Sequence, residues 1–597
     1  MDPKLPTPRE VDDGTVIILS NRGPHSFVWE NDRWVAKAGT DGLVRMIEPL
    51  ARQPNVAWFC CVSEPPGSEA ERDALFTTAK DQTDPELNVV PVPLPAALYQ
   101  DYYHRISNAV LWTIQHHLVG HVSFTAFDEA RHRAWESYLE ANLRIADAVV
   151  ATGIPPRAFL IQDYHLYPLP ALLRERFPET PSLHFVHLPF PDPSVLKLLP
   201  IPWRLTILQG LLGADVVGLQ TPNDARCFLG CCEELLGATV DYRQRTVILP
   251  AGRTVRVRVF PTSIDPEALA ALQQSSAVAA ARELLATPAR ELNVVRVDRI
   301  DPSKNQVLGF QAFGRLLDRQ PALRGRVRFR AIFIPARTDH GVYREYREAV
   351  YREAEEINAR HREACGGDPI ALLYSNDAAL ALAAMESCDV FFVNSRQDGM
   401  NLAVKEWALV SRKPGVLLLS EMAGVSKEMV QNAIAVSPLD VEGTADALAA
   451  ALAMPVADRE TRLETLRSAV RKWTSRDWLL AQLEELGLAL PEKTPSASTM
   501  STPTAVAEVV ECELVVLNRE GIHARPAAQF VRCAREFDGE IEIIKDGETF
   551  PANSIMAVLT ANLNCGAKFL VRVTGPGAEG AAQRIREMIA GFAADGS

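Results

Sequence analysis

Asn293-Val294-Val295-Arg296-Val297 runs directly into Asp298-Arg299-Ile300-Asp301-Pro302-Ser303-Lys304. The first five residues read as a strand, and the rest as a turn that leads into a helix. Short, β-branched, nearly continuous apolar runs of this kind recur along the chain. Val16–Ser20, Val56–Val62, Phe159–Asp163, Leu183–Leu188 and Val216–Gln220 form one series. Val255–Phe260, Asn293–Val297, Val327–Ile334, Ile370–Tyr374, Val390–Val393 and Val416–Leu419 form a second. Continuous rather than alternating runs are expected of strands covered on both faces. Amphipathic stretches such as Tyr343–Arg360 and Asp377–Met385 lie between them. The alternation predicts an α/β chain with two parallel sheets, helices on both sides, in residues 13–252 and 253–487. Ligands in such folds bind beyond the carboxyl ends of strands, and two facing halves make a cleft.

Four polar clusters fall just after predicted strands. They are Ser20-Asn21-Arg22-Gly23; Gln162-Asp163-Tyr164-His165 with His187-Leu188-Pro189-Phe190-Pro191; Arg299 to Lys304; and Asp398-Gly399-Met400-Asn401-Leu402-Ala403-Val404-Lys405-Glu406. Arg299 and Lys304, five residues apart across a turn, can neutralise a diphosphate leaving group without a metal. The Gly399–Leu402 turn opens a helix, whose first N–H groups bind anions. Glu406 falls two helical turns after Asp398, which predicts both carboxylates on one helix face.

The bulk numbers narrow the class. At 597 residues the chain is too long for one core. A net charge of −13 argues against general binding to nucleic acid or anionic membrane. The amino terminus shows no apolar leader, and no run is long enough to span a bilayer. Ten cysteines without a CxxC pair read as buried reduced thiols. A cytoplasmic protein is expected.

Residues 488–508 are rich in Pro, Ser and Thr and read as a flexible tether. Residues 509–594 then read strand, helix, hairpin, short helix, strand, helix, an α+β module. In Gly521-Ile522-His523-Ala524-Arg525-Pro526, His523 would cap a helix whose first turn holds Pro526. A phosphoryl group on that imidazole would face free N–H groups and the positive helix end, with Arg525 as a second positive partner. Asn553-Ser554-Ile555-Met556 follows about thirty residues later.

Taken together, Ser20-Asn21-Arg22, Tyr102-Tyr103 with Asn108-Ala109-Val110-Leu111-Trp112, Gln162 to Leu166, His187 to Pro191, Arg299 with Lys304, and Asp398 to Leu402 with Glu406 resemble the trehalose-phosphate synthase family, glycosyltransferase family 20, over residues 14–487. The resemblance implies the GT-B architecture, two Rossmann-like domains facing a cleft. It implies transfer of glucose from a nucleotide-glucose to a sugar phosphate with retention. Arg299 and Lys304 would bind the donor diphosphate, helped by Gly42 and the Gly399, Met400, Asn401 and Leu402 backbone. Asp398 would contact the donor sugar, Glu406 its ribose, and His187 the reacting centre. Asp163 would hold an acceptor hydroxyl, Arg22, Tyr103 and Arg337 the acceptor phosphate, and Trp112 would wall the site. No metal or cofactor is expected. The tail resembles the phosphocarrier HPr, an open-faced sandwich, with His523 at its phosphorylated histidine and Ser554 at its regulatory serine. Phosphotransferase-system enzyme I and an HPr kinase are the partners this implies.

Several positions depart from the family pattern. Asp41 stands in Gly39-Thr40-Asp41-Gly42, where a glycine pair is usual. Cys60-Cys61 replaces a second Trp after Trp58-Phe59. Asn305 replaces Gly, and Arg396-Gln397 replaces Leu-Arg before Asp398. These changes keep two alternatives open: a related pseudo-glycosyltransferase or glycosyl-polyol-phosphate synthase with another acceptor, and a non-catalytic sugar-phosphate sensor coupled to the phosphotransferase system. The motifs do not distinguish UDP-, GDP- and ADP-glucose, and are compatible with a homo-oligomer.

Overall fold

The computed structural model describes residues 14–594 apart from 31–32, 39–41, 65–68, 85, 119–125, 287–290, 335–340, 376, 489–508, 517–521, 523, 536, 538–539, 546–547, 553–556, 559–560, 562, 564 and 576–577. The chain forms two compact units, Met1–Leu490 and Pro491–Ser597. The tether expected at 488–508 lies almost entirely outside the described residues.

Within the larger unit, the first sheet runs Val89–Leu94, Val56–Ser63, Thr15–Ser20, Pro156–Gln162, Ser182–Phe185, Val216–Leu219, Thr254–Val259, Thr246–Ile248, Thr239–Asp241. Its first seven strands are parallel, and every residue of Thr15–Ser20 is buried. That is the environment which a continuous apolar run requires. The second sheet runs Ile370–Tyr374, Val327–Ile334, Leu292–Arg299, Val390–Val393, Val416–Ser420, Ile434–Val436, all parallel. The two-half α/β expectation holds.

The boundary at 252/253 does not. Thr254–Val259 pairs parallel with Val216–Leu219 and antiparallel with Thr246–Ile248, so it belongs to the first sheet. The chain crosses to the second lobe at Pro261-Thr262-Ser263. It also returns: Trp478, Leu479 and Leu483 of the helix Ser475–Glu485 share a core with Val16, Ile18 and Trp58 of the first lobe. The two crossings lie side by side, because Trp473 Nε1 donates to Pro261 O (2.6 Å) and Ser475 N to Ile264 O (2.9 Å). Lys405, fully buried, adds a bond from Nζ to Thr262 O (2.8 Å). Among the described residues of the larger unit, the apolar runs do not anticipate His25–Glu30, Arg33–Ala38, Val89–Leu94, Thr239–Asp241, Thr246–Ile248 or Ile434–Val436; of these, Val89–Leu94, with Pro91 and Pro93, is an outer edge of its sheet. An edge strand tolerates a missing donor.

The smaller unit has a four-stranded antiparallel sheet, in the order Val509–Val515, Lys568–Thr574, Glu540–Lys545, Glu548–Pro551. The helices Ala524–Arg535 and Ala578–Ala594 share one core with it through Phe530, Ile541, Val571 and Ile585. This matches the expected α+β sandwich. His523, Ser554 and the side chain of Arg525 lie outside the described residues.

Trp478 is fully buried, edge-on to Phe185 with ring centroids 5.2 Å apart. Trp478→Ala is expected to destabilise the larger unit by about 3–5 kcal/mol, measured by calorimetric unfolding. A loss below about 1 kcal/mol would mean that the returning helix is not part of the first lobe's core.

Candidate active site

The donor side is built where Leu292–Arg299 and Val390–Val393 end. After Arg299, Asp301 turns the chain by accepting from Ser303 N (Oδ1, 2.9 Å). Asn305 then takes a left-handed conformation, φ 60°, and opens the helix Gln306–Arg319. Lys304 is thereby carried across to Asp398, with its Nζ donating to Asp398 Oδ2. The same oxygen accepts from Asn401 Nδ2 (2.9 Å) and Ser395 Oγ (3.3 Å). Burial pushes the Asp398 carboxyl up, but the Lys304 charge and the Lys304 and Asn401 hydrogen bonds outweigh it and hold the group below the ordinary range.

Asp398 and Glu406 do not share a helix face. Asn401, at φ 79°, breaks the path, and the helix runs only Leu402–Val410. Asp398 instead bridges to the next loop, donating its N–H to Met422 O (3.2 Å), while Gly424 N donates to Asp398 O (3.0 Å). That approach is very close: a Cβ on Gly424 would lie 1.8 Å from Gly399 O, and one on Gly399 2.3 Å from His187 O. Glycine at 424 lets the two loops of the second lobe pack together, and glycine at 399 lets them touch the first lobe. Met400 is buried in the second lobe's core, so it offers the cleft backbone only. Glu406 is half-buried. Burial raises its carboxyl, and the charge of Arg45, on the first lobe's helix Gly42–Ala51, opposes that. Gly42 begins that helix and faces Leu402, whose Cδ1 lies 3.4 Å from the position of a Cβ.

The acceptor side comes from the first lobe. Arg22, exposed at the end of Thr15–Ser20, donates from Nη2 to Tyr103 Oη (2.9 Å). Tyr103 stacks on His165, 5.5 Å between centroids and 17° between planes. Its helix, Gln100–Leu111, is wound with bonds five residues apart, as in Trp112 N to Ser107 O. Such widened turns concentrate at functional sites. Trp112 follows directly. Arg299 Cζ of the other lobe lies 5.6 Å from its ring centroid, so the expected acceptor wall meets the cation expected on the donor side. Asp163 sits at φ 76°, and its Oδ1 accepts from His187 N (3.1 Å). His187 Nε2 lies 2.9 Å from Gln162 Oε1.

The structure thus gathers Arg22, Tyr103, Trp112, Asp163, His187, Arg299, Lys304, Asp398 and the Gly399–Leu402 turn along one interlobe cleft, with Gly42 and Glu406 beside it. Arg337 and the stretch 39–41, with Asp41, lie outside the described residues. The model of glycosyltransferase family 20 matches residues 14–487. The chain belongs to glycosyltransferase family 20.

A second family model, the PTS HPr component phosphorylation site, matches residues 510–591 of this family-20 chain. The bifunctional trehalose-6-phosphate synthase/phosphatase of Thermoproteus tenax is 35% identical over 391 residues, covering 64% of this chain and 51% of that protein. The trehalose-6-phosphate synthase of Cronobacter sakazakii is 33% identical over 398 residues, covering 66% of this chain and 81% of that protein. The UDP-forming alpha,alpha-trehalose-phosphate synthase A of Dictyostelium discoideum is 29% identical over 483 residues, and this chain spans 63% of its length. The crystal structure of a UDP-forming synthase from Burkholderia xenovorans in complex with glucose-6-phosphate superposes with a TM-score of 0.67. It is 27% identical and is covered in full by 79% of this chain.

Two residues that this family-20 site contains were missed in the sequence. Arg45 had no signal beyond its helix. His116 had one: it stands four residues after Trp112, where side chains meet on a helix. Its ring stacks on Trp112 (4.0 Å, 25°), and its Nδ1 lies 2.8 Å from Trp112 O. Burial lowers it to about 4, against the opposing pull of Asp301 and Asp398. Burial likewise lowers His184 and His187 to about 3.

These three imidazoles therefore stay neutral while an unfolded chain protonates near pH ~6.5. Below that pH the unfolded state binds more protons, so stability present above ~6.5 is lost as the pH falls. Each contributes up to about 1.4 kcal/mol per pH unit. The unfolding midpoint of the larger unit is expected to drop between pH ~6.5 and ~5, partly offset by Asp224, whose carboxyl burial raises to about 6, and His187→Asn to flatten that slope. A midpoint independent of pH in that window would contradict the neutral site.

Proposed function

We propose that the chain is a retaining glycosyltransferase that moves glucose from a nucleotide-glucose to a phosphorylated acceptor, in the manner of an alpha,alpha-trehalose-6-phosphate synthase. The observation that carries this reading is the meeting of Arg299 with Trp112. It sets the donor-side cations Arg299 and Lys304 against the wall of the lobe that presents Arg22 and Tyr103. A diphosphate on one side and a sugar phosphate on the other would each find cations, with the anomeric carbon between them.

In this reading Arg299, Lys304 and the N–H groups opening Leu402–Val410 take the diphosphate. Glu406 takes the ribose, and Asp398 and His187 the donor sugar. Arg22, Tyr103 and Arg337 hold the acceptor phosphate, and Asp163 orients the acceptor hydroxyl. That hydroxyl oxygen attacks the anomeric carbon on the face from which the diphosphate leaves. The bond from that carbon to the phosphate oxygen breaks, and the hydroxyl proton passes to the departing oxygen. No protein nucleophile is required, and the fixed cations serve where a metal otherwise would. The protein's work is positioning and charge stabilisation in a dry cleft.

Glucose 6-phosphate is the first acceptor to test. Another phosphorylated sugar, polyol or cyclitol is the second, favoured by Cys60-Cys61. Cys61 sits half-buried beside the acceptor strand, its N–H on Asn21 O (3.1 Å), where an indole would fill more of the wall. We also propose that His523 of the HPr-like domain is phosphorylated by phosphotransferase-system enzyme I and that this tunes the transferase, in the cytoplasm. Among the described residues no helix is long and apolar enough to cross a membrane.

A grid of UDP-, GDP- and ADP-glucose against phosphorylated acceptors is expected to yield a phosphorylated disaccharide in at least one cell. Lys304→Ala is expected to lower its kcat/KM by about 10²–10³. Nucleotide binding with no transfer in any cell would favour the sensor instead. Phosphoenolpyruvate with enzyme I is expected to label the wild-type chain but not His523→Ala. Equal activity before and after labelling would defeat the regulatory proposal.

A further inference from the structure

Two of the departures from the family pattern, Asn305 and Arg396, touch each other. Arg396 Nε donates to Asn305 Oδ1 (3.3 Å), and Arg396 N donates to Ser303 O (2.7 Å). Asn305 is 1% exposed, and its amide is used on both sides, with Nδ2 donating to Asn394 O (3.0 Å) and Pro438 O (2.6 Å). Asn394 answers by donating from Nδ2 to Asn305 O (3.0 Å) and accepting on Oδ1 from Arg296 Nη1 (3.2 Å).

Arg296 is the centre of this network. It is a guanidinium with no exposed surface, in the middle of a strand. A buried cation is tolerated only when it is paired and its donors are used. Here Nε and Nη2 donate to Asp298 Oδ2 (3.0 and 2.6 Å), and Nη2 also donates to Lys304 O (2.8 Å). The guanidinium lies over the Phe392 ring, 5.7 Å from its centroid. The segment from Arg299 to Gln306 is held at Arg299 O by Gln306 Nε2 (2.8 Å), Ser303 O by Arg396 N, Lys304 O by Arg296, Asn305 by three neighbours, and Gln306 N by Tyr346 Oη (2.8 Å).

A left-handed residue is needed after Lys304 to turn the chain into its helix. Glycine supplies the conformation but no anchor. Asparagine tolerates the same conformation and brings an amide that can be tied down. The ammonium of Lys304 rides on a flexible four-carbon stem, so the place from which it reaches Asp398 depends on how well its own backbone is held.

We propose that Arg296, Asn394, Asn305 and Arg396 are positioning residues that fix the backbone of Lys304, and through it the affinity for the donor's diphosphate. This rests on the glycosyltransferase reading and adds to it the residues that set donor affinity separately from acceptor affinity. They act through Lys304 and do not touch the substrate. Acceptor binding, held chiefly by Arg22 and Tyr103 of the first lobe, is expected to change less than donor binding.

The test is titration of the full-length chain with UDP, GDP and ADP, followed by steady-state kinetics with the nucleotide-glucose that works. Asn305→Gly keeps the left-handed turn and removes the anchors. It is expected to weaken nucleoside diphosphate binding about tenfold, about 1.4 kcal/mol, and to raise donor KM in step, with acceptor KM within about twofold of wild type. Asn305→Asp also keeps the turn but sets an oxygen against Asn394 O and Pro438 O, and is expected to bind more weakly than Asn305→Gly. Arg396→Lys, which keeps the charge and loses the Nε donor, is expected to fall between wild type and Asn305→Gly. If wild type binds no nucleoside diphosphate, the glycosyltransferase reading itself falls. If wild type binds and the three variants match it within about twofold, or if acceptor KM moves with donor KM, the positioning proposal falls alone.

Discussion

The site depends on one ion pair, Lys304 with Asp398. The partners lie at the carboxyl ends of adjacent parallel strands, Leu292–Arg299 and Val390–Val393, so the pair ties together the two loops that face the cleft. Both side chains are mostly removed from water, at 13% and 12% exposure, where a charge without a partner is costly. In the proposed reading, the cation offered to the diphosphate is held by the carboxylate offered to the donor sugar. In that reading, a diphosphate would exchange one anionic partner of Lys304 for another. Asn305 and Asn401, both left-handed, are the turns that aim the two loops at each other.

Much of this was legible in the sequence. Continuous apolar runs gave the parallel strands, and the clusters after them gave the residues that gather in the cleft. What failed did so for physical reasons. A strand's own residues do not say which sheet it joins, so Thr254–Val259 was assigned to the wrong lobe. Helical spacing between Asp398 and Glu406 assumed an unbroken path, whereas Asn401 turns the chain before Leu402. Pro91 and Pro93 masked an edge strand that needs fewer donors. The five-residue winding of Gln100–Leu111 has no periodicity that distinguishes it from an ordinary helix, although it sets where Tyr103 and Trp112 stand. Asn305 read as a departure from a glycine, and in the fold it meets the same backbone requirement with an added anchor.

Among the described residues, the close approaches between the larger unit's lobes include Gly399 against His187 O, Arg299 at Trp112, and the paired crossings near Pro261 and Trp473. The HPr-like unit has a core of its own, with its helix Ala524–Arg535 beginning directly after His523 in the sequence. The family-20 match and the HPr match thus fall on two separately packed units of one chain.

The most direct measurement is a crystal structure with a bound nucleoside diphosphate. The diphosphate is expected between Arg299 and the Leu402 N–H, with Lys304 Nζ turned from Asp398 Oδ2 to a phosphate oxygen. A diphosphate bound elsewhere, or one bound while Lys304 remains on Asp398, would contradict it.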